Sequence, residues 1–157
     1  MAEKTKVDLA EWIRKAGKSQ RVVEFQYPYL PGLFISIAHA SKFILQQIRE
    51  IAKESFINPR TREQEDRFND EKLRSEYCRH IIKGWRGLTI ATMKKIVPGL
   101  SVEGGSDDST EIPFSHDVAM AIMEVSIEFE NWVLASAMDT GNFTRVDEKK
   151  KEEFENL

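Results

Sequence analysis

The sequence predicts a mainly α-helical small domain with a short β-hairpin near its N-terminus. Apolar residues recur with the 3.6-residue spacing of an amphipathic helix in several separate segments, and one short region combines β-branched and aromatic residues with turn residues. The length of 157 residues suits one domain with a real core. We expect an N-terminal extension with a short amphipathic helix over residues 1–20, a helical domain over 21–144, and a charged flexible tail over 145–157.

The N-terminal part of the chain combines a short helix with the hairpin. Asp8 begins the helix as its cap, Gly17 ends it, and Trp12 is its expected anchor on the rest of the domain. The segments 22–27 and 33–37 then flank a turn that contains Pro and Gly, which predicts two paired strands. A two-stranded hairpin is not stable alone, so its apolar side must rest on a helix or meet a further strand.

Two further helices are predicted in the middle of the chain. Ser41 caps the first, which is expected to run to Asn58. The segment 60–70 is dense in charges of both signs and indicates an exposed connection or a first helical turn. The second helix is expected from about residue 69 to residue 83, because apolar residues keep helical spacing there and Gly84 is a natural terminator.

The C-terminal part is expected to be helical, with one flexible loop. Trp85 lies in a tight turn and is expected to fill the core, and a short helix follows over 89–97. Residues 100–110 have no apolar periodicity and predict a loop. A helical region then extends from Ser115 to Met138, either as one long helix or as two helices with a break near Ser126.

Composition indicates a cytoplasmic protein. No segment approaches the ~20 apolar residues of a membrane span, and the first residues lack the apolar region of a signal peptide. Cys78 is the only cysteine, so we expect no internal disulfide, as is usual in a reducing compartment. Charge is uneven: residues 1–100 contain 19 Lys or Arg against 12 Asp or Glu, whereas residues 101–157 contain 4 against 14. This asymmetry can attract the two halves to each other, steer a charged partner, or reflect solvated faces.

No catalytic, cofactor or metal site is predicted, and we expect a protein that is not an enzyme. His39, His80 and His116 are far apart and form no zinc-binding pattern. The pair Asp107 and Asp108 lacks the alternating ligands of a calcium loop. The glycines at 104 and 105 are not followed by the Lys-Ser or Lys-Thr of a phosphate-binding loop.

A basic region supports a rival interpretation, a small helical nucleic-acid-binding regulator. Residues 60–86 contain eight Lys or Arg near Tyr77 and Trp85, which is compatible with a basic helix face. Six acidic residues interrupt them, whereas folds that neutralise phosphates usually present one clean positive stripe. Binding of DNA or RNA is therefore the less favoured interpretation.

Three segments together resemble tail assembly chaperones of long-tailed bacteriophages and prophages. They are the run 81–88, the segment 112–115, and the end of the last helical region over 137–143. Trp85, Gly87 and the Ile-Pro-Phe-Ser sequence at 112–115 match the W-x-G, loop, IPFS element of that family. The resemblance covers roughly residues 22 to 143.

The resemblance implies a chaperone-like domain over 21–144 in the cytoplasm of a bacterial host. Such a protein binds the tape measure protein and keeps it soluble while the tail assembles. The implied partners also include the tail tube protein, further copies of the chain, and a frameshifted longer form of it, for which codons of Lys149 to Lys151 could supply an A-rich slippery run. A structural tail subunit is the third interpretation.

Apolar faces on the predicted elements supply the candidate partner-binding residues. A helix with a broad apolar face can lie in a groove of a partner or cover a partner's helix. Ordinary core packing is the competing interpretation for each of them. The candidates are Phe34, Ile44, Ile48, Ile51, Trp85, Phe129 and Trp132.

Overall fold

The computed structural model describes residues 2–102 and 107–144, with side chains from Asp8 onward. Its helices are α1 (Ala2–Lys18), α2 (Lys42–Ala52), α3 (Asp70–Ile81), α4 (Ile90–Ile96), α5 (His116–Val125) and α6 (Ile127–Met138). Its strands are β1 (Val22–Gln26), β2 (Phe34–Ala38), β3 (Lys53–Ile57), β4 (Gln64–Phe68) and β5 (Ile82–Arg86). None of the described helices is long and apolar enough to cross a membrane.

The fold is mixed α/β, so the prediction of a mainly α domain with only a short hairpin is wrong. The described residues form a three-stranded antiparallel sheet with strand order β1-β2-β5 and a separate two-stranded sheet of β3 and β4. The predicted hairpin is present as β1 and β2, in a register that pairs Val22 with Ala38 and Gln26 with Phe34. The strands that the sequence analysis missed are β3, β4 and β5.

Strand β5 makes the first sheet stable by giving the hairpin its third strand. It pairs antiparallel with β2, placing Ile35 opposite Trp85, and a bulge interrupts the register between Ser36 and Ile37. The helical spacing of α3 ends at Ile81, and the chain passes into β5 without a loop. The segment that contains Trp85 is therefore a strand and not the tight turn that we predicted.

The second sheet replaces the end of one predicted helix and the exposed connection after it. Helix α2 ends at Ala52, and β3 follows directly. Polar cross-strand contacts hold β3 to β4: Lys53 pairs with Asp66 at 3.4 Å, and the Ser55 hydroxyl donates to Asp66 at 2.7 Å. Opposite charges across strands stabilise a sheet without the apolar alternation that identifies a strand in sequence.

Helices α3 and α6 pack on the three-stranded sheet, and α5 packs on α3 and α6. The helices α5 and α6 are separate. Ser126 ends α5, because its N–H donates to Ile122 O, and it also begins α6, because its hydroxyl accepts from Phe129 N at 3.2 Å. The side chains that are most completely buried come from the sheet, from α2, α3 and α6, and from the segments just before β2 and just after β5; the largest of them are Leu33, Ile35, Ile37, Ile48, Ile81, Ile82, Leu88, Phe129 and Val133.

Helix α1 begins at Ala2, so Asp8 lies inside the helix and is not its cap as we predicted. The helix is attached to the domain by its C-terminal end. The Ser41 hydroxyl donates to Gly17 O at 3.0 Å, and the Lys18 ammonium lies 5.8 Å from the ring centroid of Phe43. Trp12 is 63% exposed, so it is not the anchor that we predicted. The predicted tail over 145–157 and residues 103–106 of the predicted loop lie outside the described residues.

Gly87 supplies a test of how tightly the turn after β5 is packed. Its φ of 78° lies in the left-handed region, and a Cβ there would overlap the carbonyl oxygen of Gly32. We expect Gly87→Ala to lower the free energy of unfolding by about 1–3 kcal/mol or more in urea denaturation. Gly84→Ala, in the strand β5 that precedes this turn, is the matched control, because its Cβ would meet only Ser36 atoms at 3.9 Å. Equal stability of the two variants would contradict the packing at Gly87.

Candidate functional site

Two motifs that are separated by a loop in the sequence form one junction in the structure. The Trp85 indole N–H on β5 donates to Ile112 O at 2.9 Å, and the Trp85 ring meets the Phe114 ring edge-on at 4.8 Å between centroids. A backbone hydrogen bond joins the same two segments, because Ile112 N donates to Leu88 O at 2.7 Å. We call these four residues the Trp85–Ile112 junction.

The junction sets where α5 begins. Thr89 and Glu111 form an isolated antiparallel bridge beside it, and the Glu111 carboxylate accepts from Gly87 N at 3.2 Å. Ser115 then caps α5 by accepting from Val118 N at 3.1 Å, which satisfies one of the free N–H groups at the helix start. Helices α4 and α5 are consequently held on either side of Ile112.

The space between α4 and α5 is an apolar groove with a volume of about 490 Å³. This size is within the range of ligand and peptide pockets. One wall of the groove reaches the surface, where Val125 is 63% exposed. The groove, which we call the α4–α5 groove, is lined by Met93, Val97, Leu100, Ile112, Asp117, Val118, Ala121, Ile122 and Val125. Asp117 is the one charged residue among these.

A second exposed apolar surface lies on α1. Leu9, Trp12 and Ile13 are 52%, 63% and 62% exposed, and their spacing places them on one face of the helix. Single exposed apolar residues are ordinary, but three adjacent ones that include a tryptophan mark a contact surface. We call these three residues the α1 stripe.

The seven predicted partner-binding residues differ in how far they are exposed to solvent. Ile44, Ile48 and Phe129 are buried in the core and offer no surface to a partner in this conformation. Ile51 is exposed on α2. The other three are partly buried by neighbours: Phe34 lies under the Arg86 guanidinium, Trp132 packs edge-on to Tyr27, and Trp85 belongs to the junction.

The groove and the stripe were both missed as candidate sites, for different reasons. The groove is built from α4, α5 and the loop before α5, so nothing in the local sequence indicates that these residues share a cavity. The stripe was visible as helical spacing in α1, but we assigned it to docking within the chain. An amphipathic pattern does not distinguish an internal contact from an external one.

The side chains of two histidines and of the cysteine contact other groups within the chain. His80 Nε2 lies 3.2 Å from the Glu76 carboxylate on the same helix, and His39 Nε2 lies 3.3 Å from the Thr140 hydroxyl. The Cys78 thiol is buried and donates to His116 O at 3.7 Å, and this burial raises its pKa to about 11. Across residues 2–102 and 107–144, no three His, Cys, Asp or Glu side chains come together as metal ligands.

Acidic partners neutralise much of the basic region between residues 60 and 86. Arg86 donates to Glu24 through two nitrogens at 2.8–3.0 Å, which lowers the pKa of that carboxyl group. Arg74 pairs with Glu130 at 2.9 Å and Lys72 with Glu54 at 3.2 Å. Because four of its eight cations, Lys72, Arg74, Arg79 and Arg86, are paired with carboxylates within the chain, this region is not the clean positive stripe of a phosphate-binding surface.

Comparison with protein families identifies the chain. The sequence profile of a family described as YdaY prophage protein matches residues 37–156. The chain belongs to this family. The matched region begins in β2 and includes both halves of the Trp85–Ile112 junction and the whole α4–α5 groove, whereas the α1 stripe precedes it. Comparisons with curated proteins and with solved structures gave no match.

Membership of the YdaY family makes this a prophage protein. The description of the family is coarser than the role in tail assembly that the W-x-G and IPFS elements suggested. In this YdaY family member those two elements have a structural role, because Trp85 and Ile112 hold each other and place α5. The exposed groove and stripe are two of the apolar surfaces that the described residues leave open to a partner.

Replacement of Trp85 tests the structural role of the junction. Trp85→Phe keeps an aromatic ring but removes the N–H that Ile112 O accepts, so a partly buried carbonyl loses its donor. We expect a loss of about 1–3 kcal/mol in the free energy of unfolding, measured by urea denaturation. Trp12→Phe on the exposed stripe is the matched control and is expected to change stability by less than about 0.5 kcal/mol. Equal effects of the two substitutions would argue against the junction.

Cys78 provides an independent test of the core. Because its pKa is raised to about 11, the thiolate is scarce near pH 8, and the buried sulfur is also shielded from reagents. We expect a thiol-reactive disulfide reagent to modify the native protein at least about a hundredfold more slowly than the denatured chain at pH 8. Reaction at the same rate in both states would mean that the α3–α5 contact opens readily.

Proposed function

We propose that this prophage protein is a tail assembly chaperone that binds the tape measure protein in its α4–α5 groove. The observation that carries the proposal is an apolar groove that is open at the surface and bounded by helices of fixed position. Binding through this groove would keep a helical client soluble during tail morphogenesis.

The groove has the properties that a helical client requires. A tape measure chain has helical segments with exposed apolar stripes, and such a segment binds by inserting side chains at i, i+3, i+4 and i+7 into an apolar groove. The lining residues on α5, from Asp117 to Val125, follow the length of a helix face. Burial of apolar surface favours such a contact by about 25 cal/mol per Å², from which the entropy cost of association is subtracted.

The junction reduces the entropy that binding costs. Ile112 forms part of the groove floor and is held by both Trp85 Nε1–H and the Leu88 backbone. Ser115 fixes the first turn of α5 beside it. A groove that is already formed loses less conformational freedom on binding than one that must be assembled by the client.

Two further findings support a role in phage assembly. The YdaY family consists of prophage proteins, which agrees with a client that is encoded in the same prophage. The order W-x-G, loop, IPFS resembles tail assembly chaperones, and here Trp85 holds Ile112, which lines the groove, while Ser115 caps the helix that forms one groove wall. The resemblance therefore concerns the part of the chain that builds the proposed binding surface.

Co-expression with the tape measure protein of the same prophage tests the proposal. The unmodified chain is expected to raise the soluble fraction of that protein several-fold and to purify with it. The double variant Ala121→Glu, Val125→Glu places two charges on an exposed groove wall and is expected to abolish both effects, because an unpaired charge in an apolar contact is costly. Ile57→Glu, at a residue 70% exposed on β3, is the matched control and is expected to behave as the unmodified chain.

Each result of this experiment has a separate meaning. If the unmodified chain neither solubilises nor binds the tape measure protein, the chaperone proposal is wrong. If the groove variant rescues the client fully, the client binds elsewhere. Binding to duplex DNA with a steep salt dependence would instead favour the nucleic-acid-binding regulator, and recovery of the chain in purified virions would favour a structural tail subunit.

A further inference from the structure

Helix α1 leaves its apolar side uncovered within one copy of the chain. All residues from 11 to 18 are exposed, and each member of the α1 stripe is more than half exposed. The helix is attached at its C-terminal end, where Gly17 O accepts from Ser41 and the Lys18 ammonium lies near Phe43. Helices in proteins gain most of their stability from packing of an apolar face, so a surface that covers the stripe would stabilise α1.

The charges beside the α1 stripe change sign along the helix. Asp8 and Lys15 are seven residues apart, which is close to two helical turns, so they lie on the same side of α1 and next to the stripe. Glu11 and Lys18 repeat the same order with the same spacing, further from the stripe. On this side the described helix is therefore acidic in its N-terminal half and basic in its C-terminal half.

Two antiparallel copies of α1 would satisfy this order of charges at both ends. Antiparallel helices that meet face to face bring the same side of each helix together. A twofold axis near Trp12 then places Asp8 of one copy within about one residue of the level of Lys15 in the other. Each contact in such a symmetric pair occurs twice, so the surface must be complementary to itself. The α1 stripe and the charges beside it have this property.

The order of charges favours a second copy over an unrelated partner. Apolar cover for the stripe would fit many proteins, but the reversed sequence of charges is supplied by α1 itself. The stripe is also separate from the groove assigned to the client, because the family match begins at residue 37 and includes the α4–α5 groove but not α1. A contact through α1 therefore leaves the role of the groove unaltered.

We infer that α1 is a dimerisation helix: the α1 stripes of two copies pack antiparallel, and Asp8 of each copy pairs with Lys15 of the other. Trp12 of both copies lies near the twofold axis, the central position at which a tryptophan contributes most to an interface. The two ion pairs fix the direction of the helices, because in a parallel pair these residues would be about 10 Å apart along the axis. The inference does not depend on the client proposed for the groove.

Sedimentation velocity over a range of concentrations tests the dimer in the full chain. We expect the unmodified chain to form a monomer–dimer equilibrium without larger species, because a symmetric contact closes on itself. Trp12→Glu is expected to raise the dissociation constant at least about tenfold, since it puts a charge at the centre of an apolar contact. Trp12 is 63% exposed, and urea denaturation will verify that the variant folds. Ile57→Glu, exposed on β3, is the matched control and is expected to dimerise as the unmodified chain does.

Reversal of the paired charges tests the direction of the helices. Asp8→Lys and Lys15→Asp each place like charges opposite one another at both ends, and each is expected to raise the dissociation constant about three- to tenfold. The double variant Asp8→Lys, Lys15→Asp restores both ion pairs with reversed sign, so it is expected to dimerise more tightly than either single variant. Substitutions without this coupling would add their effects and make the double variant the weakest of the three.

Three results would overturn the inference. They are an unmodified chain that stays monomeric at all concentrations, an unchanged dissociation constant in Trp12→Glu, and a double charge variant that dimerises no more tightly than the single variants. Trp12→Glu retains the α4–α5 groove and is expected still to solubilise the tape measure protein. Dimerisation and client binding can therefore fail separately.

Discussion

The indole N–H of Trp85 and the carbonyl of Ile112 are 27 residues apart in sequence, and their hydrogen bond joins the third strand of the sheet to the segment that starts α5. The backbone bond from Ile112 to Leu88 and the edge-on ring of Phe114 strengthen the same point. Bonds from Ile90 N to Thr110 O and from Ala91 N to Asp108 O tie the same loop to the start of α4. The position of α5 against α4, and so the groove between them, depends on the junction together with these bonds.

Local sequence signals identified the elements whose stability is local. Ser41, Asn69, Thr89, Ser115 and Ser126 each accept from the backbone of a first helical turn, and the β1–β2 hairpin follows its β-branched residues and turn. Strands β3 and β4 could not be found in this way, because their pairing rests on cross-strand polar contacts such as Lys53 with Asp66. Strand β5 follows α3 directly. It pairs with β2, which is distant in sequence, so no local sequence pattern predicts this pairing.

The sequence alone determined the helix caps Ser41 and Ser115, the first hairpin, the opposed charges of the two halves and the W-x-G and IPFS elements. These depend on neighbouring residues or on composition. Only the tertiary structure decided which apolar faces are interior: Ile44, Ile48 and Phe129 are buried, whereas Leu9, Trp12 and Val125 are exposed, although all six belong to helices with apolar faces. Helical periodicity shows that a face is apolar, but whether it meets the core, a groove or another copy depends on the elements packed beside it.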